Sequence, residues 1–316
     1  MLKTLTQPSI LIPILLSLAL LAVVFSISDA ARVMGRIQGI PIYTMALSLG
    51  LAVLYLLLKG ALWHYFMSVI HISITWRQLA LAFALGEMAV SLPAGIYAQN
   101  YVLRRIAGAD FARSSAATTA LLAGEAAISM MVLAIFGIPG WDWLRPSIIS
   151  LFAVAMVVVA VLYWVRPVRN LAKGLLRKGP LRAVGAEFLE MVDSVHLLFN
   201  VRVALLSVPV IAAYLLALVT DFYLVAHAVG VTNLAFLQAV TVYLFALAVV
   251  LVSPISTHLG VVEAGGLGAM HAWGYTSTQG LAALLGFRLV WTGAIWLVCI
   301  PVVVLLHKEL TEADEG

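Results

Sequence analysis

The chain has 316 residues, of which 64% are hydrophobic and 10% are charged, against about 25% charged in soluble domains. Together with a mean hydropathy of +1.09, this excludes an ordinary soluble domain and predicts an all-α polytopic membrane protein. The net charge is +4, but the cations cluster at predicted membrane edges and the single cysteine, Cys299, lies in an apolar run. We therefore expect no nucleic-acid partner, no disulfide framework and no thiolate metal site.

Six uninterrupted apolar runs are long enough to cross a bilayer, which takes about 17–25 residues. The first could be mistaken for a signal peptide, but its apolar run is longer than that of a typical signal and only Lys3 precedes it. We therefore predict that it is a retained span. In chain order the six predicted spans are Pro8–Ser28, Ile42–Val69, Ser114–Ile138, Pro146–Val165, Val201–Val229 and Gln279–Leu306.

Two further apolar segments are each broken at a proline, halfway across a membrane's width. Arg77–Arg105 breaks at Ser91-Leu92-Pro93-Ala94-Gly95, and Leu234–Met270 breaks at Ser253-Pro254-Ile255-Ser256-Thr257. Paired interrupted segments in corresponding halves of a chain are the best sequence indicator of a transporter's binding site. We predict that each segment forms a re-entrant hairpin of two broken helices.

The basic residues predict the orientation of the chain. The loop 166–202 carries seven basic and three acidic residues, so the positive-inside rule assigns it to the cytoplasm. The first hairpin then enters from the cytoplasm and the second from outside, and both termini are cytoplasmic. We predict one integral membrane domain over 1–316, an inverted repeat with halves at about 42–165 and 201–306, in a bacterial inner membrane.

The linker 166–200 between the halves has an apolar face that follows its basic stretch. The apolar positions recur at helical spacing, which predicts an amphipathic helix lying on anionic headgroups of the cytoplasmic leaflet. The alternative is a basic linker with no binding role. The apolar positions are Val184, Phe188, Val192, Val195 and Phe199.

Five charged side chains are predicted at or near membrane depth: Glu87, Glu125, Asp221, Glu263 and Arg288. Each costs about 2.5–3.5 kcal/mol at a helix centre when unpaired, so we expect them to face one another or a wet cavity. Glu87 and Glu263 lie within ten residues of the two prolines, which favours a substrate-binding role over structural pairing or capping. Arg288 could neutralise Glu263 or bind a lipid phosphate. Whether Glu125 and Asp221 belong to the site stays open.

The two breaks supply the remaining candidate binding residues. Irregular backbone at membrane depth is tolerated where it lines a cavity, and half-helix N-termini suit an anionic headgroup. Polar side chains bunch around both prolines and predict a hydrophilic pocket. The predicted substrate-binding residues of the breaks are Pro93, Gln99, Asn100, Pro254, Ser256 and His258.

Enzymatic interpretations find little support in the spacing of the polar residues. His258, Glu263 and His271 are five and eight residues apart, so they do not share a helix face as HExxH ligands do. The chain contains neither a GxSxG elbow nor a GxxxxGK[ST] loop. We predict no catalytic residue, no metal and no cofactor.

Two short motifs resemble those of the lysylphosphatidylglycerol synthase transmembrane, or flippase-like, family. The second-half motif is Gly260-Val261-Val262-Glu263-Ala264-Gly265, which follows Ser253-Pro254 and precedes Arg288 in the next span. The first-half motif runs from Leu92-Pro93 to Leu103-Arg104-Arg105. The resemblance covers most of the chain, and we expect the membrane half without the soluble aminoacyl-transferase domain.

The resemblance implies that the protein moves a lipid between leaflets. We therefore expect a translocase for a polar-headgroup lipid or a lipid-linked intermediate, with the substrate in a polar groove at the midplane. Two alternatives stay open at this point. One is a membrane enzyme subunit in lipid, glycolipid or hopanoid biosynthesis, and the other is a scaffold for a cytoplasmic biosynthetic enzyme.

Overall fold

The computed structural model describes residues 26, 29–90, 95–143, 145–150, 191, 194–195, 197–198, 200–252 and 260–307. Throughout these residues the secondary structure is helical, with turns between the helices. A 3-10 turn at Gly95–Tyr97 precedes the helix that begins at Ala98. The helices are α1 (Ala30–Gln38), α2 (Ile42–Val69), α3 (Trp76–Ala89), α4 (Ala98–Ala107), α5 (Phe111–Phe136), α6 (Val201–Ala228), α7 (Phe236–Val252), α8 (Val261–Ala272) and α9 (Ser277–Leu306).

Four of these helices, α2, α5, α6 and α9, are long and apolar enough to cross a membrane. They confirm four of the predicted spans, with boundaries that differ by at most three residues. Of the predicted span Pro8–Ser28 only residue 26 is described, and of Pro146–Val165 only residues 146–150, which are helical. Most of the predicted amphipathic helix in 166–200 also lies outside the described residues. All-helical membrane architecture is therefore confirmed, whereas the number of six spans stays a prediction.

Local sequence sets where the helices begin. Thr75 and Thr276 each precede a helix and form a capping box with a glutamine three residues later. Asp110 accepts a hydrogen bond from the backbone N of Arg113 at the start of α5. These side chains satisfy amide groups that have no partner inside the helix.

The long helices α2 and α6 pack antiparallel through the centre of the bundle. Ser48 near the start of α2 contacts Asp221 near the end of α6. One to two turns further along, Tyr55 packs edge-to-face on Tyr214, with ring centroids 5.6 Å apart. The bundle therefore has two ends, which we call the Ile42 end and the Val69 end after the limits of α2.

The first interrupted segment forms a pair of short antiparallel helices, α3 and α4. Gln78 at the start of α3 donates to the carbonyl of Ile106 at the end of α4, at 3.3 Å. At Gly86 the helices approach so closely that an added Cβ would lie 2.6 Å from the Cβ of Gln99. Helices of 14 and 10 residues span only about 21 and 15 Å, less than the hydrocarbon thickness of about 30 Å.

The open end of this pair lies at the Val69 end, because only six residues separate the end of α2 from the start of α3. Arg113 at the start of α5 lies there too, donating to the carbonyl of Ile70 at 2.6 Å. The basic residues Arg77, Arg104 and Arg202 belong to the helix ends of the same side. Among the described residues, five arginines therefore lie at the Val69 end, whereas Arg32, Arg36 and Arg145 lie at the Ile42 end. The orientation of the chain stays a prediction.

The second interrupted segment forms another antiparallel pair, α7 and α8. Trp273, just after α8, donates to Thr241 of α7 at 3.2 Å, and Tyr275 donates to Gln238 at 2.8 Å. The helices have 17 and 12 residues, or about 25 and 18 Å. Their open end lies at the Ile42 end, where Thr278 at the start of α9 meets Asp29. The two pairs therefore open toward opposite ends of the bundle.

Helix α1 was not predicted from the sequence. It buries Val33 and Ile37 and packs against α9 at the Ile42 end. Arg36 donates from Nη1 to the carbonyl of Val229 at the end of α6, at 3.2 Å. This short helix therefore connects the ends of two long ones.

Candidate functional site

A lysine at mid-depth of the bundle is paired with two carboxylates. The Nζ of Lys59 lies 3.1 Å from Oε1 of Glu87 and 3.5 Å from Oε1 of Glu125. Its side chain is 12% exposed and each carboxylate side chain is 7% exposed. Three separate helices, α2, α3 and α5, each supply one of these charges.

Two tyrosines extend this ion pair into a connected network. Tyr55 donates to Oε2 of Glu87 at 3.1 Å and accepts a hydrogen bond from Lys59 at 2.6 Å. Tyr214 of α6 donates to Oε1 of Glu125 at 2.9 Å. We call these five side chains, Tyr55, Lys59, Glu87, Glu125 and Tyr214, the Lys59 cluster. Its hydrogen bonds compensate for much of the cost of removing the charges from water.

A second ion pair joins α8 to α9. The Nε of Arg288 lies 2.6 Å from Oε1 of Glu263, which is fully buried. The other oxygen of Glu263 accepts a hydrogen bond from the backbone N of Gly260 at 2.7 Å. Gly260 has a φ of 82°, a conformation that glycine adopts without strain. Glu263 therefore fixes the start of α8 and neutralises Arg288 at the same time, one of the two roles expected for Arg288.

A cavity of about 150 Å³ separates the Lys59 cluster from Arg288. A space of this size is large enough for several water molecules, and the charged side chains in its wall can bind them. Both short helix pairs contribute to its wall, since Gly86, Glu87 and Gln99 come from the first pair and Leu247 and Val262 from the second. Tyr243 of α7 also lines the cavity, and the long helices supply Tyr55, Lys59, Thr118, Glu125, Arg288 and Thr292.

One side of the cavity reaches the outer surface of α9. Trp291 and Trp296 both line the cavity, and Trp296 is 45% exposed. The neighbouring residues Leu289 and Leu297 are more than 60% exposed on the same helix. The polar interior is therefore separated from the apolar outer face by little more than one side chain.

The structure brings together some, but not all, of the predicted site residues. Glu87, Gln99 and Arg288 line the cavity, and Glu263 is bound to Arg288. Asn100 does not line it; its amide is buried and hydrogen-bonded to Thr118. The predicted residues Pro93, Pro254, Ser256 and His258 lie outside the described residues.

The sequence leaves open whether Glu125 and Asp221 belong to the site, and the structure gives the position of each. Glu125 belongs to the Lys59 cluster. Asp221 lies nearer the Ile42 end, fully buried against Ser48, and does not line the cavity. Asp221 therefore holds α2 and α6 together.

Sequence reasoning missed Lys59, the residue at the centre of the cluster. The signal was present, because Lys59 is the one charged residue in the apolar run Ile42–Val69. A lysine at mid-span is expensive unless paired. Tyr55 lies one helical turn earlier, on the same face, and its hydroxyl accepts from Lys59.

These features define an integral membrane protein with a cavity of about 150 Å³ at mid-depth, whose wall carries charged side chains. Such a cavity can bind a polar or ionised group that would otherwise have no solvation inside a bilayer.

The chain matches the family described as "Lysylphosphatidylglycerol synthase TM region" over residues 10–299. It belongs to that family, whose domain is a membrane domain linked to lipid handling. No curated protein matches the chain significantly.

Proposed function

We propose that the protein is a lipid translocase, which moves a polar-headgroup lipid or lipid-linked intermediate between the leaflets of a bacterial inner membrane. The headgroup binds in the cavity between the Lys59 cluster and Arg288. The acyl or prenyl chains stay in the bilayer beside α9. The observation that carries the proposal is a charged cavity at mid-depth, walled by two short helix pairs that open toward opposite ends.

The buried charges support a binding role for the cavity. Five ionisable side chains surround it or pair with a residue that does: Lys59, Glu87, Glu125, Glu263 and Arg288. A buried ion pair seldom stabilises a fold more than well-packed apolar side chains in its place would. Packing alone therefore does not account for the charges, whereas binding a polar headgroup does.

The opposed helix pairs support alternating exposure of the site. In many transporters, discontinuous helices from two inverted repeats meet at the midplane, and one repeat rocks against the other. Here α3–α4 opens at the Val69 end and α7–α8 at the Ile42 end. Displacing either pair exposes the cavity toward one side of the membrane.

The position of Trp296 favours a lipid over a water-soluble substrate. A water-soluble molecule needs a cavity closed on its lipid-facing side, whereas a lipid needs a lateral opening for its chains. Trp296 lines the cavity and is 45% exposed on the outer face of α9. Chains of a bound lipid pass out of the bundle at this side chain.

The arginine-rich Val69 end faces the cytoplasm in this proposal, by the positive-inside rule. The linker 166–200 then binds anionic headgroups on that side, and both termini are cytoplasmic. A biosynthetic enzyme that makes the lipid on the cytoplasmic leaflet is the expected partner.

A liposome assay tests the proposal. Purified protein is reconstituted with a trace of NBD-labelled phosphatidylglycerol, and dithionite reports how much of the label moves to the inner leaflet. We expect translocation by the wild type and its loss in the double variant Glu263→Gln/Arg288→Ala. The matched control is Asp221→Asn, which changes a buried carboxylate away from the cavity. Wild-type rates in the double variant would refute the site.

Lipid analysis of a deletion strain separates translocation from the enzymatic alternative. A lipid that is made but stays in the inner leaflet supports a translocase. A lipid that is no longer made supports an enzyme subunit. A scaffold predicts that the cavity variants behave like the wild type.

A further inference from the structure

Carboxylates outnumber cations around the cavity. Among the described residues, the Lys59 cluster holds one lysine and two glutamates, and the neighbouring pair holds one arginine and one glutamate. The pair is neutral by itself. The cluster carries one negative charge too many if both of its glutamates are ionised.

An excess charge at this depth is unfavourable. The carboxylates are 7% exposed, and a buried carboxylate without a counter-ion is neutralised by taking a proton. Lys59 can neutralise one carboxylate but not two. The cluster is therefore neutral when it holds one proton.

The distances indicate which carboxylate takes the proton. Lys59 lies closer to Glu87, at 3.1 Å, than to Glu125, at 3.5 Å. Glu87 also accepts from Tyr55, which itself accepts from Lys59. The contacts of Glu125 with Lys59 and with Tyr214 are both to Oε1, so Oε2 is the oxygen on which a proton fits.

Among the described residues, several other titratable groups lie near Glu125. On the helices that pack against α5, they are Tyr55 and Lys59 of α2, Tyr214 of α6 and Tyr243 of α7, with Glu87 and Arg288 across the cavity. Glu125 lines the same cavity. Water in the cavity can therefore deliver or remove its proton.

We propose that Glu125 binds one exchangeable proton and that this proton crosses the membrane coupled to the lipid. The coupling rests on the proposed function. In the protonation step, Oε2 of Glu125 gains a proton that a hydronium ion in the aqueous phase gives up through cavity water, and the hydronium ion becomes water. Deprotonation returns the proton to water on the other side.

Glu87 links this proton to movement of the first helix pair. With Glu125 protonated, the whole charge of Lys59 is available to Glu87 on α3, and the pair α3–α4 is held against α2. With Glu125 ionised, the two carboxylates compete for one lysine. The attraction between Lys59 and Glu87 is then weaker, and the pair α3–α4 can move away from α2.

Infrared titration of the purified protein tests the proton without any substrate. We expect a carboxylic acid band that appears on acidification, is absent in Glu125→Gln and persists in Asp221→Asn. Glu87→Gln makes the same change in net charge and replaces Glu125→Gln should that variant not fold. Identical bands in the wild type and in both glutamate variants would overturn the proposal.

A pH gradient across the liposomes tests the coupling. For one proton per lipid, a difference of one pH unit shifts the leaflet ratio of NBD-phosphatidylglycerol by up to about tenfold, since tenfold corresponds to about 1.4 kcal/mol. A protonophore abolishes the shift. An equal distribution of the labelled lipid between the two leaflets under the gradient would overturn the proposed coupling but not the proposed translocase. No translocation under any condition would overturn the translocase, whereas the infrared result would stand.

Discussion

The two charged groups at the cavity are built differently. In the Arg288–Glu263 pair, one oxygen of Glu263 accepts from Arg288 and the other from the backbone of Gly260. In the Lys59 cluster, the hydrogen bonds and ion pairs join side chains of four helices. The pair is tied to the backbone, and the cluster is not.

This difference suggests a division of roles. A carboxylate that fixes the start of a helix cannot change its partner without disturbing that helix. A lysine between two carboxylates can shift from one to the other by rotation of its flexible side chain. We therefore expect the pair to be the stable part of the site and the cluster to be the part that changes during transport.

The largest expected effect is on the pair. Glu263→Ala leaves Arg288 without its buried carboxylate and removes the acceptor of the Gly260 amide. Breaking a buried ion pair costs about 3–5 kcal/mol, so we expect the free energy of unfolding to fall by about 4 kcal/mol or more. Chemical unfolding in a mild detergent measures it. Glu263→Gln retains an oxygen for Gly260 and should lose less; equal losses would show that the backbone contact is unimportant.

A smaller loss in the free energy of unfolding is expected when Lys59 of the cluster is replaced. Lys59→Met leaves two carboxylates without a cation, but both can take protons, so we expect a loss of about 3 kcal/mol. The loss should shrink as the pH falls, because protonation removes the repulsion. Adding Glu87→Gln and Glu125→Gln to Lys59→Met should restore most of the stability. A loss that does not depend on pH would contradict this account.

The next largest loss of stability is expected at Gly86, where α3 and α4 approach closely. Gly86→Ala would bring a Cβ to 2.6 Å from the Cβ of Gln99, and overpacking of this kind costs about 1–3 kcal/mol. We expect thermal unfolding at a lower temperature and slower lipid translocation, since α3 and α4 must move apart to make room for the added Cβ. Gly50→Ala is the matched control, because no atom lies within 4 Å of its added Cβ.

The smallest expected effect comes from the edge of the cluster. Tyr214→Phe removes one hydrogen bond to Glu125 and keeps the ring that packs on Tyr55. A hydrogen bond to a charged group contributes about 1.5–3 kcal/mol, so we expect a loss near the lower limit. The infrared band of Glu125 should shift in position. An unchanged band would show that this hydroxyl does not bind Glu125.

The sequence predicts the long helices well and the cluster poorly. Ile42–Val69 was predicted to the residue because an uninterrupted apolar run has only one way to cross a bilayer. The breaks at Pro93 and Pro254 predicted two divided segments, because proline interrupts helical hydrogen bonding. In both cases the deciding information is local.

The contacts that the sequence does not predict are those between side chains of different helices. Lys59, Glu87 and Glu125 belong to three helices, and no spacing along the chain shows that they converge. The contact between Glu263 and Arg288 is one of the two roles that the sequence leaves open for Arg288, the basic residue well inside a late span. Helix α1 was missed because its apolar face consists of little more than Val33 and Ile37.

That short helix has a consequence for how the bundle can move. Through Arg36 and Asp29, α1 clasps the last turn of α6 to the first turn of α9. Because these contacts lie at one end, we expect α6 and α9 to separate more easily at the opposite, Val69 end. In the proposed translocation, the lipid would then enter between the two helices at that end.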